Sequence, residues 1–202
     1  MFVMHVVDRS NRSAYADVLE DYWRVRHDVY VKTLAWTGLT PEAGREIDQF
    51  DTDDTVYLIG LDANRRVVGG SRFNPTVGPH LLSNLFPNLV IGDIPRAPDI
   101  LEWTRVFVLS DKLARSTQSP AGIVYGAILK FCLARGVKCL TVVCEQHWEA
   151  RLALLGWSPR RLGPTQKHAG EDIVALLLKV TPEALDLTQG RYGVVAALHG
   201  DN

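Results

Sequence analysis

Two sets of ionisable residues stand where a solvated surface would not put them. Residues 45–54 read REIDQFDTDD, five acidic side chains in ten residues, directly before the apolar run TVYLIGL. Arg26 lies among helix-patterned residues, Arg72 closes VVGGSRF, and Arg105 sits inside ILEWTRVFV, three residues after Glu102. Charged side chains embedded in apolar segments need partners when buried. The three cations and the anions Asp48, Asp51 and Glu102 therefore form either one balanced network lining a cleft or three separate ion pairs at a sheet edge. Metal chemistry fits the acids poorly. A calcium loop needs oxygen ligands at alternating positions, a central glycine and a late glutamate, and Asp48, Asp51, Asp53 and Asp54 do not keep that register. With no histidine or cysteine beside them, zinc is poorly supported too, so no metal site is expected. Asp53 and Asp54 read as the end of a loop facing water.

Something must bring these residues together, and the periodicity says what. MHVVD reads as a strand. Ser10 or Asn11 can cap a helix through YADVLEDYWRVRHDVYVKTL, where Tyr15, Val18, Leu19, Tyr22, Val25 and Val29 keep the spacing of one apolar face. TVYLIGLD and RVVGGSRF flank Ala63-Asn64-Arg65, a hairpin loop. Residues 74–99 are rich in proline and glycine and form a long excursion holding one or two helical turns, a frequent location for binding elements. ILEWTRVFVLS reads as a strand and PAGIVYGAILKFCLARG as a helix with proline near its start and glycine past its end. KCLTVVC is a strand, QHWEARLALLGW a helix, and EDIVALLLKV a last long strand. That order predicts one α/β domain over residues 1–202, a three-layer sandwich with a mixed, mostly antiparallel central sheet.

Composition excludes several classes. With 202 residues, 47% of them hydrophobic, the chain can build a sizeable core. The 22 basic and 23 acidic residues nearly cancel, so no global field argues for nucleic acid. No apolar stretch approaches the roughly 18 residues of a membrane span, and the amino terminus lacks a secretory pattern, so a cytoplasmic protein with no membrane partner is expected. Cys132, Cys139 and Cys144 form no CxxC pair and read as buried free thiols. His147, His168 and the other histidines offer no nucleophile–base arrangement.

The series Arg26, Val29, Tyr30, Trp36, Asp48, Asp51, Arg72, Glu102 and Arg105, set in RHDVY, LAW, EIDQFD, GGSRFNPT and LEWTRVFV, resembles the acyl-homoserine lactone synthases, the autoinducer synthases of bacterial quorum sensing. The spacings match over roughly the first 110 residues, and the remainder follows the layout more loosely. The resemblance implies a fold similar to the Gcn5-related acetyltransferases and a reaction of two substrates. S-adenosylmethionine gives its α-amine to an acyl thioester on coenzyme A or acyl carrier protein, and the amide closes to a lactone by expelling methylthioadenosine. S-adenosylmethionine is then a substrate, and no cofactor is implied. The absence of a GxGxxG motif agrees with a site unlike that of a methyltransferase.

Under that resemblance Glu102 is the candidate general base, with Arg105, Asp48 and Asp51 in the catalytic charge network. Burial would raise the Glu102 pKa and Arg105 would lower it, which leaves the sign open. Arg26, Tyr30, Trp36, Arg72 and Phe107 are expected around S-adenosylmethionine, an arginine on its carboxylate and the Trp36 ring over sulfonium or adenine. The acyl pocket is expected from Phe73, Asn74, Trp103, Val142, Cys144, Trp148 and Leu152. Two positions depart from the family pattern. Tyr30 replaces a usual phenylalanine, and Phe73-Asn74 replaces leucines before the Pro-Thr pair, which points to a short, branched or aromatic acyl group delivered by coenzyme A. Lys130, Arg135, Lys138, Arg151, Arg160 and Arg161 offer a basic surface to carrier protein or coenzyme A phosphates. A general N-acyltransferase forming no lactone, and a non-catalytic ligand sensor, remain as alternatives.

Overall fold

The hairpin foretold by the two apolar runs is the seed of the sheet. β2 (Val56–Leu61) and β3 (Val67–Pro75) are buried along nearly their whole length, because both faces of the sheet are covered. They pair antiparallel across the loop at Asp62, whose carboxylate accepts from the Asn64 and Arg66 amides. The computed structural model describes residues 2–36, 39, 42–109 and 118–200, and Ser110, at the end of the expected strand, lies outside them. β1 (Val3–Val7) joins β2, and β4 (Ile100–Val108) joins β3, both antiparallel. β5 (Cys139–Glu145) lies parallel to β4 and antiparallel to β8 (Glu171–Lys179). Short strands β6 (Arg160–Arg161) and β7 (Gln166–His168) edge β8, and β9 (Leu198–His199) runs parallel to β1. Among the described residues the order is β6-β8-β5-β4-β3-β2-β1-β9, with β7 also on β8.

Helices cover both faces. On one face α3 (Pro120–Ala134) and α5 (Pro182–Tyr192) close the largest core, which includes Phe73, Trp103, Tyr125, Phe131, Leu140, Val142 and Trp157. On the other, α1 (Ala16–Arg26) buries Val18, Leu19 and Tyr22 against Tyr57, Ile59 and Phe107. A third cluster sits on that same second face, where α2 (Leu81–Asn84) and a 3-10 turn at Pro87–Leu89 lay Leu82 and Leu89 on Ile173 and Ala175. The long excursion is thus a packed arm, closed at its base by the Thr76 hydroxyl on Ile100 O and Ala97 O.

Three expectations are corrected. Neither Ser10 nor Asn11 caps the first helix: Ser10 Oγ donates to Asp8, and the Asn11 side chain ties the Asp8 amide to Val6 O. The single helix expected over residues 15–34 is three segments, a 3-10 turn at Arg12–Tyr15, α1, and a π-helix at His27–Thr33. The chain past residue 180 carries a helix the reading above passed over. α5 has Thr181 as its N-cap accepting from the Ala184 amide, Pro182 in its first turn and Gly193 at φ +63° past its end. α4 (His147–Leu154) follows β5 as expected.

Candidate active site

A bulge in β4 sets the site. Gly70 faces Phe107 and Arg72 faces Thr104, so Arg105 and Val106 together oppose Ser71. Arg105 takes φ +55°, a conformation costing about 1–2 kcal/mol for a residue with a Cβ. The extra residue resets the alternation, and Thr104, Arg105 and Phe107 all turn to the α1 face while Trp103 and Val106 turn to the α3 face. The Tyr30 hydroxyl donates to Val106 O at 3.0 Å, so the π-helix docks on the bulge.

The charge network forms on this face with one substitution of partner. Arg26 donates through Nε to Glu46 at 2.6 Å and through both terminal nitrogens to Asp51 at 2.7 and 3.0 Å. Arg72 donates to Asp48 at 2.7 Å and Asp51 at 2.8 Å. Arg105 donates to Glu46 at 3.0 and 3.1 Å and to Asp48 at 2.8 Å. The third acid is therefore Glu46, not Glu102. Glu46 is the first acid of the quoted ten, and it is buried. Asp53 makes an exposed contact with Arg12, at 3.4 Å.

Burial alone would raise the Asp51 and Glu46 pKa values, yet the guanidiniums overcome it and hold both below their ordinary values. The carboxylates are charged, and their oxygens are occupied by arginines. Tyr57 adds a hydroxyl donated to Asp51 at 2.8 Å. Arg105 also lies 5.4 Å from the Tyr30 ring centre and 5.6 Å from that of Trp36, which is 41% exposed and forms the outer wall.

Glu102 occupies a different environment on the same face. It is 1% exposed, and its two oxygens accept from the Leu82 amide at 2.7 Å and the Leu81 amide at 2.9 Å, at the start of α2. Its pKa is raised, because burial outweighs the two amides and the nearby Arg72 guanidinium. That resolves the sign left open by the sequence, and Arg105 is turned away to Glu46 and Asp48. Glu102 lies in a polar row across three strands, opposite Asn74 on β3 and Thr141 on β5. Pairing between β4 and β5 ends there, although β4 continues to Val108 and β5 to Glu145.

The residues expected to form the acyl pocket divide between the faces. Phe73, Trp103, Val142 and Leu152, with Cys144 and Trp148 at the margin, gather on the α3 side. Trp103 packs 5.2 Å from Trp157 and donates to Ser71 Oγ at 2.6 Å. Asn74 faces the opposite way, because neighbouring strand residues alternate and Phe73 takes the α3 side. Phe107 belongs to the α1 cluster, edge-on to Tyr30. The basic residues do not form one patch of free cations: Lys130 donates to Ala196 O, and Arg161 is paired with Glu149.

An autoinducer synthase model matches residues 10–186. The chain belongs to the autoinducer synthase family. The isovaleryl-homoserine lactone synthase of Bradyrhizobium diazoefficiens is 33% identical over 98% of this chain and 90% of its own length. Among solved structures, the CoA-dependent acyl-homoserine lactone synthase MesI is 42% identical, covers 98% of this chain and 100% of its own, and superposes with a TM-score of 0.88. The CoA-dependent synthase BjaI, solved with SAM and isopentyl-CoA, is 33% identical, covers 98% and 93%, and has a TM-score of 0.91. A Lactobacillus plantarum protein described as an N-acetyltransferase, 15% identical with a TM-score of 0.55, shares the fold alone. The synthase is thus an acyltransferase-family enzyme on a mixed open sheet, as the motif series implied.

Proposed function

We propose that the protein makes an acyl-homoserine lactone from S-adenosylmethionine and a short or branched acyl-coenzyme A. The carrying observation is Glu102, a buried carboxylate with a raised pKa, set where β4 and β5 part and one row from the guanidinium network. A carboxylate whose basicity is raised by burial is suited to taking the proton of an ammonium before the amine attacks a thioester. The amine's second proton leaves as the tetrahedral intermediate collapses and is available to the departing thiolate of coenzyme A.

S-adenosylmethionine occupies the α1 face in this reading, with its sulfonium and adenine near Trp36 and Tyr30. The thioester enters where the strands part, and its acyl chain points to the α3 face, against the ring cluster of Trp103, Tyr125 and Trp157. The relatives described with isovaleryl and isopentyl groups support a branched donor. The cysteines are all unpaired, which suits a reducing cytoplasm, and no helix among the described residues is long and apolar enough to cross a membrane.

The test is incubation of purified protein with S-adenosylmethionine and a panel of isovaleryl-, isobutyryl-, butyryl-, octanoyl- and cinnamoyl-coenzyme A beside the matching acyl carrier proteins. Mass spectrometry should find acyl-homoserine lactone and methylthioadenosine with a branched coenzyme A donor. Lactone from carrier-protein donors alone would overturn the donor. Acyl transfer without methylthioadenosine would overturn the reaction.

A further inference from the structure

Glu102 is held by a loop, and one buried side chain holds the loop. The two carboxylate oxygens accept from the Leu81 and Leu82 amides at 2.9 and 2.7 Å. The residue before them, His80, is 0% exposed, and its Nδ1 lies 2.9 Å from Gly78 O. A carbonyl only accepts, so Nδ1 carries the proton, and turning the ring over would set a carbon against that oxygen. Ser83 adds a second tie, its Oγ accepting from the His80 amide at 3.1 Å, while the Asn84 amide donates to His80 O at 3.0 Å. Further back, the Thr76 hydroxyl pins the loop to Ile100 O at 2.8 Å, on the strand that carries Glu102. Between these pins Pro79 has a fixed φ.

The other ring nitrogen, Nε2, is buried without a partner. An unpaired buried polar atom costs free energy, and a phenyl ring would fill the same space without it. The imidazole therefore stands here for what Nδ1 does. We propose that His80 is a positioning residue for the reaction: its ring, docked on Gly78 O, locks residues 78–82 so that two amides grip both oxygens of Glu102. A carboxylate offers about four lone-pair sites. Two are taken by the amides and the plane is fixed, which leaves each oxygen a lone pair of set direction for the ammonium. This rests on the reading of Glu102 as the base. The charged and titratable groups near Glu102 are Arg72 on β3 and His80 itself, with uncharged Asn74 and Thr141 beside it on β3 and β5. Arg105 is turned to Glu46 and Asp48. Of these surroundings, only the loop changes when the His80 ring is replaced.

The experiment follows the Glu102 carboxyl by carbon-13 NMR titration, its signal assigned by its loss in Glu102→Gln, in the natural protein, His80→Phe, His80→Asn and Ser83→Ala. Amide donors favour the charged carboxylate, so loosening them raises the pKa. His80→Phe keeps the ring volume and loses the Nδ1 proton; its Glu102 should titrate about one pH unit or more higher, the worth of one hydrogen bond to a charged group. With S-adenosylmethionine and isovaleryl-coenzyme A its kcat should fall about tenfold or more at an unchanged KM for S-adenosylmethionine, because the base is misaimed and the binding groups are not. His80→Asn places an amide nitrogen where Nδ1 stood and should recover most of both losses. Ser83→Ala, at a half-buried position, removes the second tie and should move the titration the same way by less. An unmoved titration in His80→Phe and Ser83→Ala, or an asparagine variant as impaired as the phenylalanine one, would overturn the assignment alone. The expected titrations from a natural protein that turns over no donor would establish the grip on Glu102 and overturn the functional reading.

Discussion

Glu102 and Asp51 lie on one sheet face, yet their surroundings push them in opposite directions. Burial of Glu102 outweighs its two amide donors, so its proton is held more tightly than the ordinary value of 4.5. Asp51 has two guanidiniums and loses its proton below 3.8. For Glu102 as base, kcat/KM should fall on the acid side through an apparent pKa above the ordinary glutamate value. Glu102→Gln should remove that limb and lower kcat by about 10²–10⁴-fold with S-adenosylmethionine affinity retained; unaltered turnover would exclude the role. Asp51→Asn leaves two buried arginines undercompensated and should cost about 3–5 kcal/mol in urea unfolding. The pH dependence follows from the sign. Because its folded pKa is depressed, Asp51 contributes its full stabilisation above the ordinary 3.8 and loses it as pH falls through the folded value. The natural protein's acid transition should therefore be steeper than the variant's. Three arginines and two of their acids were legible because charge in an apolar segment implies a partner. Glu46 was not, since a turn residue carries no periodic sign of burial.

The elements deliver these residues through two irregularities that sequence patterns do not announce. A π-helix continues α1 and brings Tyr30 over the β4 bulge, and the bulge turns Arg105 to the network. Alternation along ILEWTRVFV predicts a regular strand, and nothing in the letters marks Arg105 as left-handed. Tyr30→Phe removes the hydroxyl bond to Val106 O and should cost about 0.5–1.5 kcal/mol with little change in S-adenosylmethionine affinity, read by thermal unfolding and calorimetry. Gly70 marks how closely α1 presses on this strand. A Cβ there would lie 2.3 Å from Tyr22 Cε2 and 2.9 Å from Phe107 Cε1. Gly70→Ala should therefore destabilise the fold by about 1–3 kcal/mol in denaturant titration, because both rings are walled in and neither can move freely. The helices α3 and α4 were legible through glycine stops, and a proline start for α3. α5 carried the same signals and was passed over, whereas the two-residue β9 depends on pairing with β1 and has no local signature.

At the scale of the molecule the sheet is a partition. Charged chemistry lies on the α1 face and aromatic bulk on the α3 face, and the layer order was readable from the element sequence because both-face burial gives continuous apolar runs. Which face Arg105, Val106 and Phe107 take was not readable past the bulge, whereas Asn74 was grouped with Phe73 although strand alternation sets the two on opposite faces. If the acyl chain lies beneath Trp103, Trp103→Leu should raise the kcat/KM ratio of octanoyl- to isovaleryl-coenzyme A about tenfold or more; an unchanged ratio would place the chain elsewhere. The parted strands carry a further consequence. Past Glu102 and Thr141, β4 and β5 each have an inner edge with backbone groups that no neighbouring strand answers. A sheet interrupted in its middle has a weak seam, and its amides should exchange with deuterium faster than those of β2 and β3. An extended pantetheine arm lying in the seam would supply the missing partners, so a filled site should slow that exchange. The donor would then act as a temporary strand, joining two half-sheets that open again once the free thiol departs.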